Sequence, residues 1–264
     1  ISIIINNKNL RYKIANNFSQ SLKDEKIIRI SRKSKYLIFF FKKKLLLIHL
    51  GMSGKLLIVR NRDNFMFKTS FYYNLNIIPK HNHILFKLDN GLALIYNDIR
   101  RFGFFKLYKT TQTNNIPFLR KLGIEPLNKN FNIRYFKKFS KKRKKNIKNL
   151  IMDQTFICGL GNIYANEALF MSKIKPSREC NDLNVIEIRN LISSIKKVLS
   201  LSISKGGSSI RDFTGTSGKN GQFQQYFHAY GQENKNCPRK RCEGIIKKIN
   251  ISNRSTFYCN ICQR

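Results

Sequence analysis

The sequence predicts a multidomain α+β protein. An antiparallel β-sandwich or barrel comes first, a helical region follows, and a small cysteine-bound β-hairpin ends the chain. Three observations predict this. Over the first ~110 residues short apolar runs alternate with turn residues. From about residue 132 the apolar period becomes helical. Cys237, Cys242, Cys259 and Cys262 crowd the last 28 residues.

Candidate strands run over residues 26–32, 35–41, 45–50, 55–60, 83–88, 92–96 and 103–108. Turn signals such as Asn90-Gly91 separate them, and many short strands at this spacing suit a sandwich or barrel. This gives a β domain over 1–112, incomplete at its start, and a polar linker over 113–131. A helical domain over 132–221 begins with a basic helix predicted over 136–153. Gly159-Leu160-Gly161 forces a turn, and a second helix covers 162–172, with Asn162 at its N-cap position. A third helix starts near Asn184, where Asn184 and Glu187 fit a capping box. Its stripe of Ile188, Leu191, Ile192, Ile195, Val198 and Leu199 is a core face. A Gly/Ser-rich stretch over 204–221 closes the domain, and 222–264 forms the cysteine hairpin.

The 264 residues carry 51 Lys and Arg against 14 Asp and Glu, a net charge of +37. Charge this high can prevent collapse, but 42% hydrophobic residues and 21 Phe suffice for a core. The longest apolar runs, 36–41 and 45–50, are strand-length, far short of the ~20 residues a bilayer span needs. No secretory signal is visible, so no membrane partner and a cytoplasmic location are expected. Lys outnumbers Arg 34 to 17, and Asn and Ile are plentiful; A/T-rich codons explain part of this, but not the scarcity of acids. Such a chain should bind a polyanion, with nucleic acid the first choice.

The cysteines read Cys237-x4-Cys242-x16-Cys259-x2-Cys262. Without a secretory signal a metal site outranks disulfides. Four thiolates suit one tetrahedral Zn²⁺ and leave no open position, so the zinc is structural. It holds a hairpin too small for its own core. That hairpin presents Lys247, Lys248 and Arg254, which suit phosphate contacts.

Several segments together resemble one family. They are His49-Leu-Gly-Met-Ser-Gly54, Arg100-Arg-Phe-Gly103, Leu122-Gly-Ile-Glu-Pro-Leu127, the stretch from Met152 to Glu167, Gly206-Gly-Ser-Ser209, and Arg254-Ser-Thr-Phe-Tyr-Cys259 running to Gln263. In this order they resemble formamidopyrimidine-DNA glycosylases, bifunctional enzymes that remove oxidised purines from DNA. The first two favour that family over its relative endonuclease VIII. The resemblance implies a helix–two-turn–helix over Met152–Glu167 and a zinc finger in the tail. It also implies an N-glycosylase that cleaves abasic sites by β,δ-elimination. The implied partner of an expected monomer is duplex DNA with an oxidised purine or abasic site.

The resemblance also carries site residues. Met52, Arg100 and Phe102 match residues that fill the gap left by a flipped base, with Arg100 reading the orphaned base. Lys35 matches a lysine near the scissile sugar, and Arg254 one at the flanking phosphates and in the second elimination; these two are the catalytic candidates. His81, Lys144, Lys148 and Asn162 match contacts to the DNA backbone, the two lysines one turn apart on the basic helix. Residues 206–213 match a loop that closes over the flipped base. Three features depart from the family. Asn82 stands where Asp is usual, and the Cys237–Cys242 gap is longer than the usual two residues, so a distorted first turn is expected. The family opens on a Pro-Glu segment, whose amine and carboxyl are its nucleophile and acid, and this chain opens on Ile1. A truncated catalytic head is therefore expected, with a non-catalytic damaged-DNA-binding remnant as the alternative. A basic zinc-ribbon RNA-binding protein is a third reading; it explains the charge and cysteines but neither of the first two segments.

Overall fold

The computed structural model of the protein describes residues 1–60, 78–207 and 223–264, and these described residues form two compact units, the first ending at 120 and the second made of 121–207 with 223–264. In the first unit two four-stranded antiparallel sheets face each other, counted among the described residues. One has the order β1 (Ser2–Ile5), β6 (Asn82–Lys87), β7 (Leu92–Asn97), β5 (Lys55–Arg60). The other has the order β2 (Arg29–Lys33), β3 (Tyr36–Phe40), β4 (Lys44–His49), β8 (Phe104–Lys109). All seven predicted strands are present, β5 with the predicted ends and the others with ends moved by at most three residues. The sequence reading missed β1, four residues long, and the short helix α1 (Phe18–Leu22), whose Phe18 and Leu22 join the sandwich core beside Leu46, Ile84, Phe86 and Phe105.

Register decides what this unit presents. Tyr36 pairs with His49, and His49 with Phe104, so the β2–β3 turn, the end of β4 and the start of β8 share one end of their sheet. In the other sheet Lys55 and Asn82 both pair with Asn97. Both β4–β5 and β7–β8 cross from one sheet to the other at that end, through residues 50–54 and 98–103. The polar stretch after β8 is not an open linker: it winds into a 3₁₀ turn, Thr110–Asn115, and the one-turn helix α2 (Pro117–Arg120).

In the second unit the predicted basic helix over 136–153 is broken in two. Helix α3 (Ile133–Ser140) starts on an Asn132 cap, and α4 (Ile147–Met152) restarts on an Asn146 side chain that accepts the Asn149 N–H. Lys141–Lys145 is a run of like charges with no apolar position to bury, which is where the helix stops. Helices α5 (Asn162–Met171) and α6 (Val185–Ser204) follow, and α6 opens on the predicted Asn184–Glu187 capping box. The N-cap of α5 is Gly161, not Asn162, which is the first helical residue. Ile188, Leu191, Ile192, Ile195 and Val198 of α6 are core, packed with Phe136, Phe156, Ala165 and Leu169. The unit ends in the hairpin β9 (Ile246–Ile251) and β10 (Arg254–Cys259). No helix among the described residues is long and apolar enough to cross a membrane.

Candidate nucleic-acid interface

The sandwich end gathers five of the predicted site residues. Lys35 is exposed at the tip of the two-residue β2–β3 turn, where Ser34 takes the left-handed backbone. Met52 is 51% exposed in the 50–54 crossing and Phe102 44% exposed in the 98–103 crossing. Such exposure excludes a core role for both. The Arg100 guanidinium lies 4.6 Å over the Phe102 ring, a cation–π contact. His81 stands just before β6, and its backbone carbonyl accepts the Asp98 N–H. It does not pair with His83: the His83 ring is buried and its Nε2 lies 2.7 Å from the Asp98 carbonyl.

Close backbone packing makes these crossings possible. Gly51 has φ +71°, and a Cβ there would stand 2.6 Å from the Phe102 carbonyl carbon. A Cβ on Gly103 would collide with the Tyr96 hydroxyl. Arg101 takes the left-handed backbone without being glycine, a costly conformation that the surrounding loop must hold. His49 stacks on Phe104, and its Nδ1 accepts the Gly51 N–H, so it must be neutral there. Burial, then the nearby charges of Lys35 and Arg11, push its pKa below the ordinary histidine value and keep it so.

Two residues of this end escaped the sequence reading. Arg11, indistinguishable in sequence among 51 cations, lines a pocket with Asn9, Leu10, Arg100, Arg101 and Phe102. Asp98 is fully buried between the two crossings. Its only sequence signal is a lone acid two residues before the Arg100-Arg101 pair.

The second unit builds a different surface around Arg254. Ser252 and Asn253 both have positive φ, so they make the mirror-image two-residue turn that suits a twisted hairpin. Arg254 is exposed just past that turn. The next carbonyl, of Ser255, accepts from Lys148 Nζ at 3.2 Å and from Asn162 Nδ2 at 3.0 Å. Lys148 Nζ also donates to Thr256 Oγ1 at 2.6 Å. The prediction that Lys144 and Lys148 lie one turn apart on one helix is therefore corrected. Lys144 is exposed in the connection before α4, whereas Lys148 is 0% exposed within it. Burial, then the Arg254 charge, holds the Lys148 ammonium pKa down to about 8. Asn166 adds a fourth tie, its Oδ1 accepting the Phe257 N–H at 2.7 Å.

The turn before α5 is clipped by Gln154, whose Oε1 accepts the Gly159 N–H and whose Nε2 donates to the Leu160 carbonyl. Only Gly159 of the two glycines needs its freedom, at φ +91°. The Gly206–Phe213 loop lies outside the described residues from 208 onward.

The four cysteine sulfurs lie within 4.8 Å of one another. Cys237 and Cys262 are 3.8 Å apart, and Cys242 and Cys259 3.7 Å. A tetrahedron with ~2.3 Å metal–sulfur bonds has edges of ~3.8 Å, so these residues fit a zinc ion. The long Cys237–Cys242 gap is absorbed by a turn with Arg241 in the left-handed region. Its Arg239 reaches back to the Phe170 and Met171 carbonyls at the end of α5.

Comparison with known proteins places this geometry. The family model "Formamidopyrimidine-DNA glycosylase N-terminal domain" matches residues 2–105, and "Formamidopyrimidine-DNA glycosylase H2TH domain" matches residues 122–214. The formamidopyrimidine-DNA glycosylase of Wolbachia pipientis subsp. Culex pipiens is 40% identical over 99% of this chain and 91% of its own length. The chain belongs to the formamidopyrimidine-DNA glycosylase family. The glycosylase of Rickettsia massiliae is also 40% identical, over 97% of this chain and 86% of its own. Among solved structures, a Lactococcus lactis Fpg bound to FAPY-dG DNA superposes with a TM-score of 0.82 at 33% identity, covering 100% of this chain and 92% of its own. A Lactococcus lactis Fpg with abasic-site DNA gives 0.83 at 32% identity, covering 100% of this chain and 91% of its own. These matches correct one expectation. The expectation of a missing catalytic head does not stand, because the N-terminal-domain model matches from residue 2, and the high-coverage glycosylase relatives favour the enzyme over the non-catalytic remnant. Family membership also accounts for the two segments that the RNA-binding reading left unexplained.

Proposed function

We propose that this protein excises oxidised purines, 8-oxoguanine and formamidopyrimidines, from duplex DNA and cleaves the resulting abasic site. The carrying observation is the gathering of Lys35, Met52, His81, Arg100 and Phe102 at one end of the sandwich, with two large apolar side chains held out in solvent. A base that has left the stack leaves a hole and an unpaired partner. Met52 is a flexible apolar plug for the hole, and Phe102 a wedge beside it. Arg100, braced on Phe102, donates hydrogen bonds to the orphaned base. Lys35, beside the neutral His49, supplies a cation near the scissile sugar. His81 contacts the DNA backbone.

The second unit supplies the remaining phosphate contacts. Arg254 and Lys144 are exposed cations for the strand. Lys148 and Asn162 serve it through the Ser255 carbonyl they grip beside Arg254. One structural zinc on Cys237, Cys242, Cys259 and Cys262 holds the hairpin; four thiolates leave no position for substrate. The organisation we propose is a β domain over 1–112, a connection over 113–131, a helix–two-turn–helix domain over 132–221 and a zinc finger over 222–264, acting as a monomer in the cytoplasm. The chemistry is covalent: an amine attacks the anomeric carbon, the base leaves, and the Schiff base permits elimination of the 3′ and then the 5′ phosphate.

The test uses full-length protein and a duplex with 8-oxoguanine opposite cytosine. Borohydride during the reaction should leave a covalent protein–DNA adduct, and the products should include a one-nucleotide gap. An intact strand and no adduct, from protein that binds the duplex, would refute the reading.

A further inference from the structure

We propose that Asp98 is a positioning residue: its buried carboxylate sets the Arg100 loop so that the guanidinium meets the base opposite the lesion. This rests on the gap-filling reading of Met52, Arg100 and Phe102. Asp98 is 0% exposed and draws on three parts of the fold. Oδ1 accepts from the Ser53 hydroxyl in the first crossing and from the Arg100 N–H at 3.3 Å in the second. Oδ2 accepts from Tyr96 Oη at 2.6 Å, on strand β7, and from the Gly103 N–H at 3.0 Å. The Ser53 oxygen in turn accepts the Arg100 N–H at 3.1 Å. The carboxylate thus fixes the backbone on both sides of Arg100, Arg101 and Phe102 and ties that segment to the loop carrying Met52. The two ends of the segment are pinned while Arg101 is held left-handed between them.

The chemistry demands an acid here. Each oxygen faces a backbone N–H, and a backbone N–H cannot turn round to accept. An asparagine of the same shape has one oxygen and one NH₂. Whichever way it is placed, its NH₂ meets either the Arg100 N–H or the Gly103 N–H. Turned towards Gly103, it leaves that buried N–H without an acceptor; turned towards Arg100, it sets donor against donor and leaves that end of the segment on the Ser53 oxygen alone. Tyr96 differs from the two amides: its hydroxyl can rotate, and it anchors the carboxylate to the sheet while packing against Gly103, at the end of the segment away from Arg100.

The test separates positioning from plain support. Full-length wild type, Asp98→Asn, Ser53→Ala, Tyr96→Phe and Arg100→Ala are compared below their melting temperatures. Each is titrated with a tetrahydrofuran-site duplex carrying cytosine or adenine opposite the site, and with undamaged duplex. Wild type should prefer cytosine, and Arg100→Ala should abolish the preference. Asp98→Asn should reduce the cytosine-to-adenine preference by roughly tenfold, or to none if it starts lower, with undamaged duplex bound within about twofold of wild type. Ser53→Ala should shift it less, in the same direction. Tyr96→Phe should melt earlier yet keep the wild-type preference. A merely structural role would lower all three affinities together and leave the ratio alone. Should Asp98→Asn not fold, the contrast between Ser53→Ala and Tyr96→Phe decides. Wild-type preference retained in Asp98→Asn, or in both Ser53→Ala and Arg100→Ala, overturns the proposal. Preference retained in Arg100→Ala alone sinks the reading of Arg100 itself, and the role of Asp98 with it.

Discussion

The two surfaces proposed to meet DNA solve one problem with opposite charges. The sandwich end must hold two irregular crossings so that flexible side chains stand out in solvent. It does this with a buried anion, Asp98, whose oxygens collect N–H and O–H groups from both crossings. The hairpin around Arg254 must be held against helices too short to enclose it. It uses a buried cation, Lys148, whose ammonium collects the Ser255 carbonyl and the Thr256 hydroxyl. Loop backbone turned inward at the sandwich end offers N–H groups and therefore needs an acceptor; beside Arg254 the hairpin edge offers the Ser255 C=O and therefore needs a donor. The regions also differ in what lies beneath them. The sandwich end rests on a large apolar core, whereas the hairpin has a small cluster of Phe170, Ala229, Ile246 and Phe257 and relies on its cysteines.

The largest effect expected from breaking this comparison is loss of the metal. Native mass spectrometry should show one zinc per chain, lost in Cys259→Ser. Zinc binding at such sites is worth ~10 kcal/mol or more, so the hairpin should unfold on chelation while the sandwich persists. Amide exchange should show this directly: rapid exchange over β9 and β10, retained protection over β4 and β7. Metal-free protein with a protected hairpin would break the contrast.

Lys148→Met comes next. Removing the ammonium leaves the Ser255 carbonyl and the Thr256 hydroxyl without that donor, at a cost of ~3 kcal/mol. The pH dependence sharpens the prediction. The folded pKa lies at about 8, below the ordinary lysine value of 10.5, so the unfolded chain binds more protons between them. The stability Lys148 contributes should therefore rise as pH goes from 8 to 10.5, and Lys148→Met should flatten that part of the difference curve. Parallel wild-type and variant curves in denaturant titrations would contradict the buried cation.

A smaller effect distinguishes the sandwich end at acid pH. His49 is neutral because its pKa is lowered by burial and by Lys35 and Arg11. Its contribution is thus present above the unfolded value of 6.5 and lost as pH falls through the lowered folded value. Crossing 50–54 should loosen on acidification, seen as faster exchange of the Gly51 amide, and a His49→Gln protein should lack that pH step. The hairpin should not respond over the same range.

The smallest effects on stability, and the plainest on binding, belong to exposed cations. Lys144→Ala and Arg254→Ala should each change stability by less than about 0.5 kcal/mol. Each should weaken every duplex alike and reduce the salt slope of log affinity by about 0.9. Sequence- or lesion-selective loss in Lys144→Ala would show that it does more than meet a phosphate.

Much of the fold was legible in one dimension because strand alternation, helix caps and cysteine spacing are local codes. The seven strands, the Asn184–Glu187 box and the four-cysteine site follow from residues near one another in the chain. The break at 141–145 was missed because a basic run looks as helical as its neighbours until the lack of a buried face is seen. Met52, Arg100 and Phe102 were found through a resemblance; without it, two exposed apolar residues and one of 51 cations carry no mark.

The sequence by itself determined the order of the seven strands and of the helical and cysteine regions after them, the polyanion partner and the family, because composition and motif order need no third dimension. Tertiary structure alone decided that Lys148 lies buried and not on the surface, that Asn162 spends its amide on the hairpin, and that Asp98 joins two crossings 45 residues apart at Ser53. The physical reason is that burial and hydrogen-bond partnership belong to pairs of groups. A lysine or an aspartate reads the same in sequence wherever it points, and only the packed chain supplies the partner that fixes its role.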